Sequence, residues 1–326
     1  LLALFTRLGW RDEAKDEIES ASIQFDLPPA AVTQHLRRLA KTPGFVAEAG
    51  RYMYVTPESV ARHAFQWAVE GWSIVNIVER VPSALTDVFL QRARRSSEQE
   101  VRLHLDATFQ DWFQGLASAD LETTSVVRRL GALVETSPST WAPQLLALME
   151  QADPDSLRRQ SLDRSAGWPP RRRLVWLAQA LSSFEEYFHT AERMLRIMAC
   201  AETEPEIANN ATRVYSQLFR LLDSEISTPY STRLTVLRRV VRTRPPNEVA
   251  LAASAAIEAI RAHHGPIRDH HRLGAHRRPD PWLPRNQNEL NECIRSLISI
   301  ARQAARRTGD DKILLQLADQ TRALLW

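Results

Sequence analysis

The stretch "HLRRLAKTPGFVAEAGRYMYVTPE", residues 35–58, changes its hydrophobic period halfway along. His35 to Leu39 reads as the end of a basic helix. Gly44 stops the helical spacing, and Phe45-Val46 and Tyr52-Met53-Tyr54-Val55 flank the polar turn Ala47-Glu48-Ala49-Gly50-Arg51. Tyr52 and Tyr54 alternate with Met53 and Val55, the period of a strand, and Gly50-Arg51 suits a tight reversal. A helix that runs into a two-stranded hairpin is how a winged helix ends.

Outward from the hairpin, residues 1–72 read as one winged-helix domain of three helices plus the hairpin, the only sheet expected. Leu1, Leu4, Phe5 and Leu8 suggest a first helical face that ends at Gly9-Trp10. From Asp12 to Phe25, residues Ala14, Ile18, Ala21 and Phe25 recur at helical spacing. Leu27-Pro28-Pro29 is a turn, because Pro suits the first helical position and not the interior. Ala30 to Ala40 gives the third helix, with Val32, Leu36 and Leu39 inward. Thr56 stands as N-cap of the helix after the hairpin, and Gly71-Trp72 closes the domain.

Residues 73–326 show amphipathic helices separated by Pro, Gly or Asp, with no strand expected. Val101, Leu105, Phe109, Trp112 and Leu116 mark one, and Val126, Val127, Leu130, Leu133 and Val134 another. Leu174, Leu177, Leu181, Phe184 and Phe188 form a stripe over Leu174–Phe188. Ile207, Ala211, Val214, Leu218 and Leu222 form a second over Glu206–Leu222. Further helices fall around Leu234–Val241, Glu248–Ala262, Asn288–Arg306 and Lys312–Leu325. Successive helices joined by short breaks stack as antiparallel pairs, so this part reads as an α-solenoid of degenerate HEAT-like repeats. Sub-boundaries are expected near residue 168 and within 263–281, where "HHGPIRDHHRLGAHRRPDP" reads as a solvated loop.

Composition fits a mainly helical globular protein. The 326 residues are 44% apolar and 25% charged, and only 10 are Gly, few for a turn-rich β fold. Formal charge is +3, and all but three of the 42 Lys and Arg residues are Arg. Cys200 and Cys293 have no CxxC spacing and read as reduced thiols of a cytoplasmic protein. Every long apolar stretch is interrupted by Arg, Glu or Gln, so no membrane span is expected. The chain begins Leu-Leu-Ala without Met, which is expected of a segment of a longer protein.

The residues argue against several chemistries. A phosphate-cradling P-loop needs Lys beside a Gly-rich turn, and the three lysines, in "DEAKDE", "RLAKTP" and "DDKIL", lack the glycines. No GxSxG elbow, HExxH helix or Ser-His-Asp arrangement appears, so no catalytic residue and no cofactor are assigned. His263, His264, His270, His271 and His276 crowd one loop, yet no Cys or carboxylate pattern completes a tetrahedral site, and no metal is assigned.

Nucleic-acid binding has two candidate regions. Residues 1–72 carry eight Lys/Arg against nine Asp/Glu, a net of about −1, where a phosphate-gripping domain carries a positive excess. Residues 261–307 carry ten Arg against four Asp/Glu with Trp282 as the sole aromatic, which offers no stacking platform. Gln34, Arg37, Arg38 and Lys41 on the third helix are therefore read as facing a protein neighbour, with Arg51 on the turn. Asn209 and Asn210 lie off the second stripe and read as solvated, a partner contact being the alternative.

Four stretches carry a resemblance: "ALFTRLGW", "GRYMYVTPESVARH", "WLAQALSSFEEYFHTAERMLRIMACAETEPEIANNATRVYSQLFRLLDSEISTPYSTRL" and "PWLPRNQNEL". In that order they resemble the region C-terminal to the NTPase module of bacterial STAND-type signalling NTPases. The resemblance implies a winged helix that packs on an NTPase module N-terminal to Leu1 and helps hold it inactive. It also implies a helical array that senses a protein or ligand signal. Related NTPases often place Met-His-Asp where the last wing strand enters the next helix. Here Val55-Thr56-Pro57 stands there and His63 lies about two turns on, so His63 is given no nucleotide contact. The expected function is thus a non-catalytic regulatory region acting through protein contacts. The alternatives are a winged-helix transcriptional regulator with a helical effector domain, or a helical-repeat scaffold.

Overall fold

A computed structural model describes residues 1–42, 44–160, 168–222, 224–260 and 273–323. The protein is mainly helical, with one small three-stranded antiparallel sheet among the described residues. It packs as two compact units. The first comprises Leu1–Leu116, Arg128–Thr140 and Gly274–His276; the second comprises Ala117–Val127, Trp141–Leu273 and Arg277–Trp326.

The first unit is organised by the sheet. β2 (Val46–Ala49) and β3 (Tyr52–Val55) form the expected hairpin, in register Ala49↔Tyr52 to Val46↔Val55. The turn is Gly50-Arg51, with Gly50 at φ +57°, the sign that a glycine at the first central position supplies without strain. The outer edge of β3 is covered by β1 (Leu8–Gly9), paired Leu8↔Met53 and Gly9↔Tyr52. Here the structure departs from expectation. Leu1 to Leu8 is not a helix but a 3-10 turn, Leu2–Leu4, leading into that strand. The apolar residues are buried all the same, Leu4, Phe5 and Leu8 completely. An eight-residue segment is too short to favour a helix on its own, and pairing with β3 decides its state. Gly9 is needed there, because a Cβ would run into the carbonyl and side chain of Ala14.

The helices flanking the sheet follow the sequence closely. α1 (Lys15–Gln24) buries Ile18 and Ala21, and Ala14 and Phe25 beyond its ends are buried with them. α2 (Pro29–Lys41) starts with Pro at its first turn and buries Leu36. α3 (Glu58–Trp72) begins after Pro57, which holds the N-cap position, so Thr56 is not the cap. α4 (Ile74–Arg80), α5 (Thr86–Ala93) and α6 (Gln99–Gln114) complete the elements of Leu1–Leu116.

Next in the chain come α7 (Thr124–Thr136), α8 (Pro138–Glu150) and α9 (Pro154–Arg159). In the second unit α10 (Pro170–Ser182), α11 (Phe188–Cys200) and α12 (Ala211–Gln217) revise two expected helices. The Leu174–Phe188 stripe is shared between α10 and the start of α11, because the chain turns at Ser182-Ser183 and through a 3-10 turn at Glu185–Tyr187. The Glu206–Leu222 stripe contracts to α12, since Asn210 caps a helix that begins only at Ala211. Leu218 is nonetheless 1% exposed. α11 packs against both α10 and α12.

The remaining helices, α13 (Tyr230–Thr243), α14 (Pro246–Ile260), α15 (Gln287–Thr308) and α16 (Asp311–Ala323), lie within a few residues of expectation. α14 is the centre of the unit, touching α11, α12, α13, α15 and α16. Val249, Leu251, Ala252, Ala255, Ala256, Ala259 and Ile260 bury most of it, leaving Asn247, Ala250 and Ser254 exposed along one edge, and its alanines let the neighbours approach closely. Among the described residues no helix is long and apolar enough to cross a membrane.

Candidate interaction surface

The surface begins with the amphipathic character of α2. Its inner side rests on α1 and β2 through Leu36, with Val32, Leu39 and Ala40 half-buried. The opposite side therefore carries Gln34, His35, Arg37, Arg38 and Lys41, all exposed. With Ala31 they line one shallow depression of about 540 Å³. The structure thus brings four of the sequence-predicted residues, Gln34, Arg37, Arg38 and Lys41, into one patch. No ion pair to Arg37, Arg38 or Lys41 is present among the described residues.

The cations on and beside the hairpin behave differently. Arg51 donates to Glu13 at 3.1 Å and, through Nε, to the Tyr52 hydroxyl at 3.2 Å. The Tyr52 hydroxyl first and the Glu13 carboxylate second hold the Arg51 guanidinium in its charged form more firmly than usual. Arg11 reaches Glu48 on β2 at 3.4 Å, and Arg7 reaches Glu17 at 3.4 Å. Aromatic faces add to this framework: Arg11 lies 3.6 Å and Arg37 5.1 Å from the Trp10 ring centroid. Arg7 sits 3.8 Å from that of Tyr52. Such contacts suit guanidinium, whose weak hydration lets it stack. Trp10, Arg11 and Glu13 escaped the sequence reading. Their only signal was position, just after the short strand that was taken for the end of a helix.

Asn209 and Asn210 lie elsewhere, in the second unit, and the expectation that they are solvated is corrected. Asn210 is 3% exposed. Its Oδ1 accepts from the Arg213 N–H at 2.9 Å, and its Nδ2 donates to the carbonyls of Glu204 and Pro205. Arg172 donates to the Asn209 carbonyl at 2.7 Å and to its Oδ1 at 2.9 Å. These side chains order the loop before α12, a use that an Asn pair off an apolar stripe does not announce in sequence.

Chemistry has few other supports. Among the described residues no group of three or more His, Cys, Asp and Glu is placed to hold a metal. His263, His264, His270 and His271 lie outside the described residues. Burial pushes the Cys200 thiol up to about 11, which leaves it protonated and unreactive at neutral pH. His63 is exposed on α3, 4.5 Å from the ring of Trp67. Comparison with protein-family models, with curated proteins and with solved structures finds no match.

Proposed function

We propose that this chain is a non-catalytic regulatory and sensing region that acts by binding other proteins in the cytoplasm. In this reading residues 1–72 form a winged helix whose α2 face docks on an acidic protein surface. The helices beyond it work as a HEAT-like array that receives a protein or ligand signal. The resemblance to STAND-type signalling NTPases makes the docking partner an NTPase module, held inactive by the contact.

The observation that carries this reading is the contrast in pairing around α2. Arg37, Arg38 and Lys41 are exposed cations with no carboxylate partner among the described residues, a compact patch suited to a matching cluster of Asp or Glu. A wing that follows a DNA backbone needs free cations of its own, and Arg11 and Arg51 are instead occupied by Glu48 and Glu13. The near-neutral charge of residues 1–72 points the same way.

Reversing the patch tests the proposal. In the full-length protein, Arg37→Glu with Arg38→Glu and Lys41→Glu should raise basal NTP hydrolysis several-fold, because the inhibitory contact is lost. A full-length product without NTPase activity, or one whose activity ignores the substitutions, overturns it. The exposed row Gln34, Arg37, Arg38 and Lys41 also favours a second reading, a helix laid in a major groove. Sequence-selective mobility shifts at physiological salt, abolished by Arg37→Ala, would establish that reading instead.

A further inference from the structure

A second depression, of about 250 Å³, opens in the first unit between α3 and the segment following α5. Apart from Phe65, its lining is polar or charged: Ser59, Arg62, His63 and Gln66 from α3, with Arg95, Ser96 and Ser97 across from them. Arg92 also lines it, although its side chain is 2% exposed. That burial makes the site more than a row of surface arginines.

The charges here do not balance. Arg92 donates to Glu58 Oε1 at 2.9 Å, and Arg95 donates to the same oxygen at 2.7 Å. One carboxylate oxygen therefore serves two guanidiniums. The other bonds of Arg92 go to the Phe5 carbonyl, at 3.4 Å from both Nε and Nη2, long for a charge-assisted contact. Each guanidinium has five N–H groups, so both arginines retain donors that neither Glu58 nor Phe5 uses. Arg62 is exposed and has no ion pair among the described residues, which leaves Glu98 as the other carboxylate at the rim. Three guanidiniums thus stand against two carboxylates, with His63 beside them.

The neutral groups complement this excess. Ser96 Oγ accepts from the Glu98 N–H at 3.2 Å, and its own hydrogen is left to donate. The hydroxyls of Ser59, in α3, and Ser97 have no hydrogen-bond partner among the described residues. Burial pushes the Arg92 guanidinium down from its usual range, opposed by Glu58, as expected of a desolvated cation with half-shared compensation. Hydroxyls and guanidinium forks around a small depression match an ion with several acceptor oxygens and more than one negative charge. A phosphate group has three acceptor oxygens and nearly two charges at neutral pH.

We propose that this depression binds the phosphate group of a small molecule, held by Arg62 and Arg95 with Arg92 at its floor. The proposal is independent of the docking surface on α2 and of any NTPase partner. It is tested on the whole chain by calorimetry and thermal unfolding at constant ionic strength, with inorganic phosphate, glycerol phosphate and succinate as probes. Saturable binding of phosphate or its ester is expected, with succinate at least about tenfold weaker, because its two charges are carried on separate carboxylates and not on one compact group of acceptor oxygens. Equal affinity for the two phosphates identifies the free anion as sufficient, and tighter binding of the ester identifies an esterified ligand; both support the site. Arg62→Gln and Arg95→Gln should each weaken binding by about tenfold. Arg62 is exposed and has no ion pair among the described residues, so its variant keeps the test sound if Arg95→Gln disturbs the Glu58 cluster. Arg302→Gln, an exposed change on α15, should leave the affinity unchanged. No saturable phosphate binding, succinate bound as tightly as phosphate, or an equal loss from Arg302→Gln overturns the assignment.

Discussion

Arginine does two different things in this chain, and α2 and α10 show the contrast. On α2, Arg37 and Arg38 project into water with no carboxylate partner among the described residues. On α10, Arg171 and Arg172 are 0% and 1% exposed, and both are bonded within the protein through their terminal guanidinium nitrogens. Arg171 bonds the carbonyls of Met198 at 2.6 Å and Leu157 at 3.2 Å, and Glu202 at 3.3 Å. Arg172 bonds Glu204 at 3.0 Å and both oxygens of Asn209. Two adjacent arginines in the first turn of a helix look alike in sequence to two adjacent arginines near the end of another. The difference shows that an arginine count measures neither surface charge nor affinity for phosphate. What decides the role is whether the fold delivers carbonyls and carboxylates to the guanidinium.

The sharpest way to break the contrast is to remove a buried member. Arg172→Ala leaves the buried Glu204, and the half-buried Asn209 oxygens, without their donor. Losing one partner of a buried ion pair destabilises by about 3–5 kcal/mol. Thermal or denaturant unfolding should show that loss, and Arg172→Lys should recover little of it, because an ammonium cannot reach both Glu204 and Asn209 in a planar fork. A variant with unchanged stability would mean that the cluster is solvated after all.

The apolar counterpart is Leu218, 1% exposed just beyond α12. Leu218→Ala should cost about 2–5 kcal/mol, with the larger figure if the cavity cannot collapse. The sequence identified this residue correctly while misplacing its helix. Spacing at three and four residues reports which side chains share a face, and that survives when the helix is shorter than the stripe. It does not report where a side chain sets the start of the helix, as Asn210 does.

The same distinction explains what else was legible. Tyr52 to Val55 alternates and is bounded by Gly50, so the hairpin was readable from local pattern alone. β1 was not, because its state depends on Met53, forty-five positions along from Leu8. On the surface, Gln34, Arg37, Arg38 and Lys41 were readable since one helix places them together. The pairs Arg11–Glu48 and Arg51–Glu13 were not, because each joins residues about forty positions apart. The depression around Arg62 and Arg95 is hidden from sequence for the same reason.

Acid titration probes the buried cluster more gently. Glu202 accepts from the backbone N–H groups of Thr203, Glu204 and Thr212 at 2.9–3.1 Å, besides its bond from Arg171. Burial alone would raise its pKa, but the N–H groups and Arg171 outweigh burial and hold it below its ordinary value of 4.5. A carboxylate depressed in the folded state stabilises at pH above its unfolded pKa, and loses that contribution as pH falls through the folded value. Glu202→Gln should therefore be less stable than the parent at pH 7, and the gap should close progressively below about pH 4.5. A constant gap across the acid range would assign the loss to packing and not to charge.

The smallest expected effect lies on α2, and it completes the contrast from the other side. Arg37→Ala, Arg38→Ala and Lys41→Ala remove exposed side chains with no ion pair among the described residues, so no buried partner is stranded. Exposed substitutions of this kind change stability by about 0.5 kcal/mol or less. Arg37→Ala should sit at the destabilising end, since its guanidinium lies 5.1 Å from the Trp10 ring centroid and a partly exposed contact of this type is worth about 0.5–1 kcal/mol. Arg38→Ala and Lys41→Ala should instead be neutral within the precision of thermal unfolding, because alanine is at least as good a helix former as either. If Arg38→Ala or Lys41→Ala lowers stability by as much as Arg172→Ala, the α2 face is covered within the protein itself and cannot be the docking surface. If all three are near neutral while together they abolish partner binding, the patch is retained for interaction alone.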